Sequence, residues 1–145
     1  MILVVDDDPA VRRTVGEMLS RSDYGVLTAE DGRAALAVLQ ERQDIDLVIV
    51  DYRMPGMDGL TLVRRIKEMR LAVPFMIMTG HGDLESYLCA TNLGVVRYVG
   101  KPVGMRALLQ TVCESLAEVP GAGTIRKFQT AQPRQFAEKV RFMRI

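Results

Sequence analysis

A handful of side chains in this sequence could together move a phosphoryl group if the fold gathered them: the run Asp6-Asp7-Asp8, the further carboxylate Asp51, the hydroxyl of Thr79 and the ammonium of Lys101. Clustered carboxylates repel one another, so bringing Asp6, Asp7 and Asp51 together is costly unless a cation neutralises them or their pKa values rise. A hard divalent cation meets that need. Magnesium prefers oxygen ligands, keeps some of its water and commonly joins one or two carboxylates to a phosphate; manganese suits the same donors. One oxygen of Asp51 could then attack phosphorus. Lys101 would balance charge on the equatorial phosphoryl oxygens, and Thr79 would donate its hydroxyl to the same group.

Whether these residues meet depends on the elements that carry them. Short apolar, β-branched runs alternate with longer stretches of helical period, the pattern of βαβ units building a parallel sheet. The strand candidates are Ile2–Val5, Gly25–Thr28, Leu47–Val50, Phe75–Met78 and Val96–Val99, and their near-continuous hydrophobicity suits strands covered on both faces. Helical spacing joins Val11, Val15, Met18 and Leu19, then Ala35, Leu36 and Leu39, then Leu60, Val63 and Ile66. A weaker fourth helix is expected over Leu84–Leu93, and a fifth over Met105–Leu116 with Leu108, Leu109, Val112 and Leu116 on its buried side. The fold class is therefore α/β, a doubly wound five-stranded parallel sheet. Such sheets bind ligands beyond the carboxyl ends of their strands. The three aspartates follow the first strand, Asp51 the third, Thr79-Gly80 the fourth and Lys101-Pro102 the fifth, so all should converge on one edge.

Each residue also has a purely structural reading. Asp8 before Pro9 reads as a helix cap with proline at the first helical position, and we assign it that role. Asp58 is expected to cap the third helix, and Pro55-Gly56 and Asp58-Gly59 to shape the loop after Asp51. His81, the one histidine, reads as a solvent-facing loop residue. Cys89 and Cys113 lack the spacing of a metal or redox site and read as small core residues, and the nine methionines as packing.

The motifs Ile2-Leu-Val-Val-Asp-Asp-Asp-Pro9, Val50-Asp-Tyr-Arg-Met-Pro-Gly-Met-Asp-Gly59, Met78-Thr-Gly-His-Gly-Asp83 and Tyr98-Val-Gly-Lys-Pro102 resemble the receiver family of two-component response regulators, over about residues 1–118. The resemblance implies a flavodoxin-like (βα)5 receiver fold and a signalling switch rather than an enzyme acting on other molecules. It implies Asp51 as phosphoacceptor, Asp6 and Asp7 as the acidic pair for Mg²⁺, and the backbone carbonyl of Arg53 as a further ligand. Thr79 would be the switch hydroxyl, Lys101 the phosphate contact and Tyr98 the switch aromatic. Gly80 matches the family's small residue, Lys101-Pro102 its cis peptide, and His81 a position that tunes phosphoryl lifetime. The implied phosphodonor is a sensor histidine kinase or histidine phosphotransfer protein. The implied readout is a downstream effector or self-association through the face of the fourth helix, fifth strand and fifth helix.

Composition agrees with a single folded unit. The chain has 145 residues, 48% hydrophobic and 26% charged, about the size of one domain. Its longest apolar runs fall far short of the roughly 20 residues of a membrane span, and a secretory pattern is missing from the start, so a cytoplasmic location is expected. Net charge is +1, but residues 1–123 hold 13 Lys+Arg against 17 Asp+Glu while residues 124–145 hold 6 against 1. With Pro120, Gly121 and Gly123 as punctuation, this divides the chain into a domain over 1–119 and a linker plus basic extension over 120–145. Phe136, Val140 and Met143 would share a face if the extension is helical; a docking segment and an unstructured one remain open. Nucleic-acid binding is not expected of the domain, and the extension is too short for a helix-turn-helix. A haloacid-dehalogenase-like phosphatase would use Asp6 as nucleophile with Asp8 two residues on, but Ala10 and the absence of an acidic pair after the fourth strand argue against it. A flavodoxin-type carrier would want small residues and N–H groups, not acids, in the first loop.

Overall fold

The computed structural model describes residues 1–80 and 97–117. Its elements are β1 (Ile2–Val5), α1 (Pro9–Ser20), β2 (Val26–Ala29), α2 (Gly32–Glu41), β3 (Leu47–Asp51), α3 (Gly59–Glu68), β4 (Phe75–Thr79), β5 (Arg97–Gly100) and α4 (Met105–Ala117). α4 is the helix expected fifth from the sequence; the one expected over 84–93 lies outside the described residues, as do His81, Cys89, the boundary near 119 and the basic extension. The strands form one parallel sheet in the order β2-β1-β3-β4-β5.

The unbroken apolar strands follow from helices covering both faces. Successive side chains point to opposite sides. Leu3, Val5, Val48, Val50, Phe75 and Ile77 pack with Ala35 and Leu39 of α2 and with Leu60, Val63 and Ile66 of α3. Ile2, Val4, Leu47, Ile49, Met76, Met78 and Val99 pack with Val15 and Leu19 of α1 and with Leu108, Leu109 and Val112 of α4. Three helices start on an aspartate whose carboxylate accepts from a first-turn N–H: Asp8 from Ala10 (2.8 Å), Asp31 from Ala34 (2.8 Å) and Asp58 from Thr61 (2.7 Å). Each such cap stabilises by about 1 kcal/mol.

Some expectations shift. β2 begins and ends one residue later than its apolar run suggests, β5 ends one residue later, and β3 and β4 each run one residue further; Val96, the expected start of β5, lies outside the described residues. The ladder continues while register partners remain, through Asp51 opposite Met78 and Thr79 opposite Gly100. Asp51 and Thr79 are thus the last residues of their strands rather than the first beyond them. On α4 the buried stripe also takes in Ser115, and Leu116 packs partly buried against the same core. Ser115 is tolerated there because its hydroxyl donates to the Thr111 carbonyl at 2.7 Å. Cys113 is a free, half-buried thiol rather than a core residue, since it flanks that stripe.

Two non-glycine residues, Asp23 and Arg70, take left-handed backbone (φ 66° and 55°) just past α1 and α3. This geometry lets Tyr24 N–H reach the Leu19 carbonyl and Leu71 N–H the Ile66 carbonyl, closing each helix end. Because an L side chain is strained there, Arg70→Gly is expected to stabilise the protein by roughly 0.5–1 kcal/mol. A denaturation midpoint at or below that of the parent would contradict it.

Candidate functional site

The chemistry-bearing residues reach one sheet edge by the strands' own alternation. Asp6 follows Ile2 and Val4, Asp51 follows Leu47 and Ile49, and Lys101 follows Val99, each at steps of two on the side covered by α1 and α4. Thr79 and Tyr98 fall on the opposite parity, and Tyr98 packs against the α2 and α3 core.

Lys101, 95 residues from Asp6 in sequence, joins the first and third strand ends. Its Nζ lies 2.9 Å from Asp6 Oδ2 and 3.0 Å from Asp51 Oδ1. Asp6 is fully buried and Asp51 is 5% exposed, whereas Asp7 faces solvent. Carboxylate oxygens of all three lie within 4.8 Å of one another. Burial pushes the Asp51 carboxyl above its ordinary pKa; the Lys101 hydrogen bond opposes that, and the charges of Asp6 and Asp7 add to it. Burial works against the Lys101 ammonium, but its bonds to Asp6 and Asp51 outweigh this and hold its pKa up.

A single ammonium leaves this cluster short of positive charge. Like charges about 4 Å apart repel by roughly 4 kcal/mol at an effective dielectric near 20, and the one ammonium in contact with the carboxylates can offset only one of their three negative charges. Three carboxylates against one lysine therefore suit a further hard cation, and an all-oxygen donor set with one exposed member fits one that keeps some of its water.

The surrounding backbone holds these groups still. Asp6 N–H donates to the Ala29 carbonyl (3.3 Å), its carbonyl accepts from Arg12 Nη1 (2.6 Å), and its Oδ1 accepts from Asp8 N–H (2.9 Å). Lys101 N–H donates to the Thr79 carbonyl at 2.7 Å, tying together the two residues expected to meet the phosphate. The Lys101-Pro102 peptide is cis, as the resemblance implied. After Asp51 the loop turns through Gly56 (φ 81°) and closes with Gly59 N–H donating to the Tyr52 carbonyl at 3.0 Å. A Cβ on Gly59 would lie 2.5 Å from the Asp51 carbonyl oxygen, so α3 is pressed against the backbone of that aspartate. Arg53, in this loop, is exposed.

The structure thus unites Asp6, Asp7, Asp51 and Lys101, with Thr79 attached through the backbone. Sequence reading missed the contacts of Gly59 and Arg12. Gly59 was legible only as a turn residue, and Arg12 only as a helix residue four after the cap, since nothing in either segment reveals a neighbour across the loop.

The sequence model of the family described as "Response regulator receiver domain" matches residues 2–113. The chain is 39% identical over 117 residues to the transcriptional regulatory protein GlrR of Escherichia coli (strain K12), covering 81% of this chain and 26% of that protein. It is 39% identical over 112 residues to the sensor histidine kinase RcsC of Salmonella typhi, covering 77% of this chain and 12% of that one. The chain therefore spans about a quarter or less of the length of these relatives. Among solved structures, the receiver domain of NtrX from Brucella abortus superposes with a TM-score of 0.76 at 32% identity, covering 81% of this chain and 99% of that one.

Proposed function

This chain belongs to the response regulator receiver family, and from that premise we propose that it is a phosphorylation switch whose acceptor is Asp51. The observation that carries this reading is the bridge from Lys101 to both Asp6 and Asp51 within a triad of carboxylates at the strand ends. An oxygen of Asp51 attacks the phosphorus of a phosphohistidine or small acyl phosphate; the donor's bond to phosphorus breaks and an aspartyl phosphate forms. Lys101, already in contact with Asp51, turns its ammonium to the phosphoryl oxygens and offsets their charge. Asp6, Asp7, Asp51 and the Arg53 carbonyl are the residues that would hold Mg²⁺ or Mn²⁺, which when bound supplies positive charge at the transferring group. The chain's own work is self-phosphorylation and its reversal, with no other substrate. The donor is a sensor histidine kinase or histidine phosphotransfer protein in the cytoplasm; among the described residues no helix is long and apolar enough to cross a membrane.

A ligand shifts a two-state equilibrium only through its differential affinity for the two states. Thr79 is our coupling residue: it ends β4 opposite Gly100 of β5, two residues past Tyr98, on the face that Tyr98 shares. Drawing the Thr79 hydroxyl to the phosphate would open space for Tyr98 and alter the β5 and α4 surface that an effector or a second copy reads. The test is amide NMR with Mg²⁺ and beryllofluoride, a phosphoryl mimic, on the parent and on Thr79→Ala. We expect shifts at Asp51 in both proteins and at Tyr98 in the parent alone. Equal responses around Tyr98 would remove Thr79 from the switch, and no response at Asp51 in either would remove the acceptor assignment.

A further inference from the structure

Arg12 is neither a carboxylate nor at a strand end, yet its guanidinium reaches back to the acidic loop and donates to the Asp6 carbonyl at 2.6 Å. That carbonyl belongs to the peptide linking Asp6 to Asp7. Every other polar atom of Asp6 is also occupied: its N–H by Ala29, Oδ1 by Asp8 N–H and Oδ2 by Lys101. Asp6 is thus held by several independent bonds, and losing one leaves the others in place. Asp7 differs. It is exposed, its carboxylate completes the triad, and its N–Cα bond lies in the plane of the peptide before it, so a shift of that plane carries the side chain with it. We propose that Arg12 is a positioning residue for the divalent cation, acting through the Asp6-Asp7 peptide to aim the Asp7 carboxylate at the site.

The inference rests on the reading of Asp7 as a ligand, and charge alone predicts the opposite sign. A guanidinium near the site repels a cation, so removing it for electrostatic reasons would tighten metal binding. Removing it as the peptide's anchor would loosen binding, because the carbonyl then loses a charge-assisted hydrogen bond and the peptide plane is freed. Arg12→Met keeps the apolar stem and deletes the donor; Arg12→Lys keeps a donor on a stem of similar reach.

The experiment is calorimetric titration of the folded proteins with Mg²⁺ alone, together with the amide nitrogen shift of Asp7, which reports the hydrogen bonding of the preceding carbonyl. Arg12→Met is expected to weaken Mg²⁺ binding about five- to tenfold and to move the Asp7 nitrogen. Arg12→Lys should return both to within about twofold of the parent, the scale of a retained charged donor. If Arg12→Met does not fold, the lysine variant decides: parent-like affinity and Asp7 shift support the assignment, and loss of both overturns it. Unchanged or tighter binding in a folded Arg12→Met also overturns it. Asp7→Asn is the control that separates the two levels. If Asp7→Asn weakens Mg²⁺ binding and Arg12→Met does not, the positioning role alone is wrong; if Asp7→Asn binds like the parent, the assignment of Asp7 as a ligand fails and takes the Arg12 role with it.

Discussion

Asp51→Asn is expected to abolish metal-dependent incorporation of a phosphoryl group from acetyl phosphate while leaving the protein folded. The carboxylate ends β3 only 5% exposed, with Lys101 Nζ at 3.0 Å from Oδ1 and the carboxylates of Asp6 and Asp7 beside it. An amide of the same shape has no anionic oxygen to attack phosphorus, so the loss should be complete rather than graded. Stability should move the other way. Burial raises the folded-state pKa of Asp51, so its contribution to stability is full below its unfolded pKa and is lost as pH rises through the folded one. At neutral pH without metal the ionised group is at its least favourable. Asp51→Asn should therefore unfold at the same or a higher denaturant concentration than the parent, which separates lost chemistry from lost fold. Intact-mass measurement decides. Labelling that survives in Asp51→Asn but vanishes in Asp6→Asn would give the nucleophile role to Asp6 and favour the phosphatase reading.

Asp7→Ala is expected to remove most of the Mg²⁺ affinity and, with it, the stabilisation that Mg²⁺ gives the parent. A ligand that binds only the folded state at a hundred times its Kd contributes about 2.7 kcal/mol, so the parent should gain about that much in saturating Mg²⁺ and the variant little. In metal-free buffer the order should reverse or level. Asp7 adds to the charge crowding Asp51, and its solvent-facing side chain leaves no cavity when truncated. Unfolding curves of both proteins with and without Mg²⁺ test this. Equal Mg²⁺-dependent gains would show that Asp7 is not a ligand.

The sequence showed the fold well because the fold has a local signature. Strands such as Leu47 to Val50, apolar at every position, need cover on both faces, and Asp8, Asp31 and Asp58 are caps that act within their own first turn. Asp31 is nevertheless not legible as a cap, because a lone aspartate before Gly32 reads equally well as a turn. The convergence of Asp6, Asp51 and Lys101 was legible from a rule about where parallel sheets place their strand ends, but the distances were not. The Lys101 bridge depends on side-chain reach between strands 95 residues apart in sequence. Ser115 escaped because a helical stripe predicts apolar residues, and its hydroxyl is satisfied by its own helix. The close approach of Gly59 to Asp51 escaped because a missing Cβ leaves no trace of what occupies its place.

Asp51, among the clustered carboxylates, is the group expected to take the phosphoryl group, and borohydride trapping reads this most directly. Borohydride reduces an aspartyl phosphate to homoserine and leaves free aspartates untouched, so the acceptor is marked in the chain itself. The protein is incubated with acetyl phosphate and Mg²⁺, reduced, digested and sequenced by mass spectrometry. Homoserine at position 51, absent when Mg²⁺ is chelated, is the predicted result. Homoserine at position 6 or 7, with position 51 intact, would mean that Asp51 is not the acceptor.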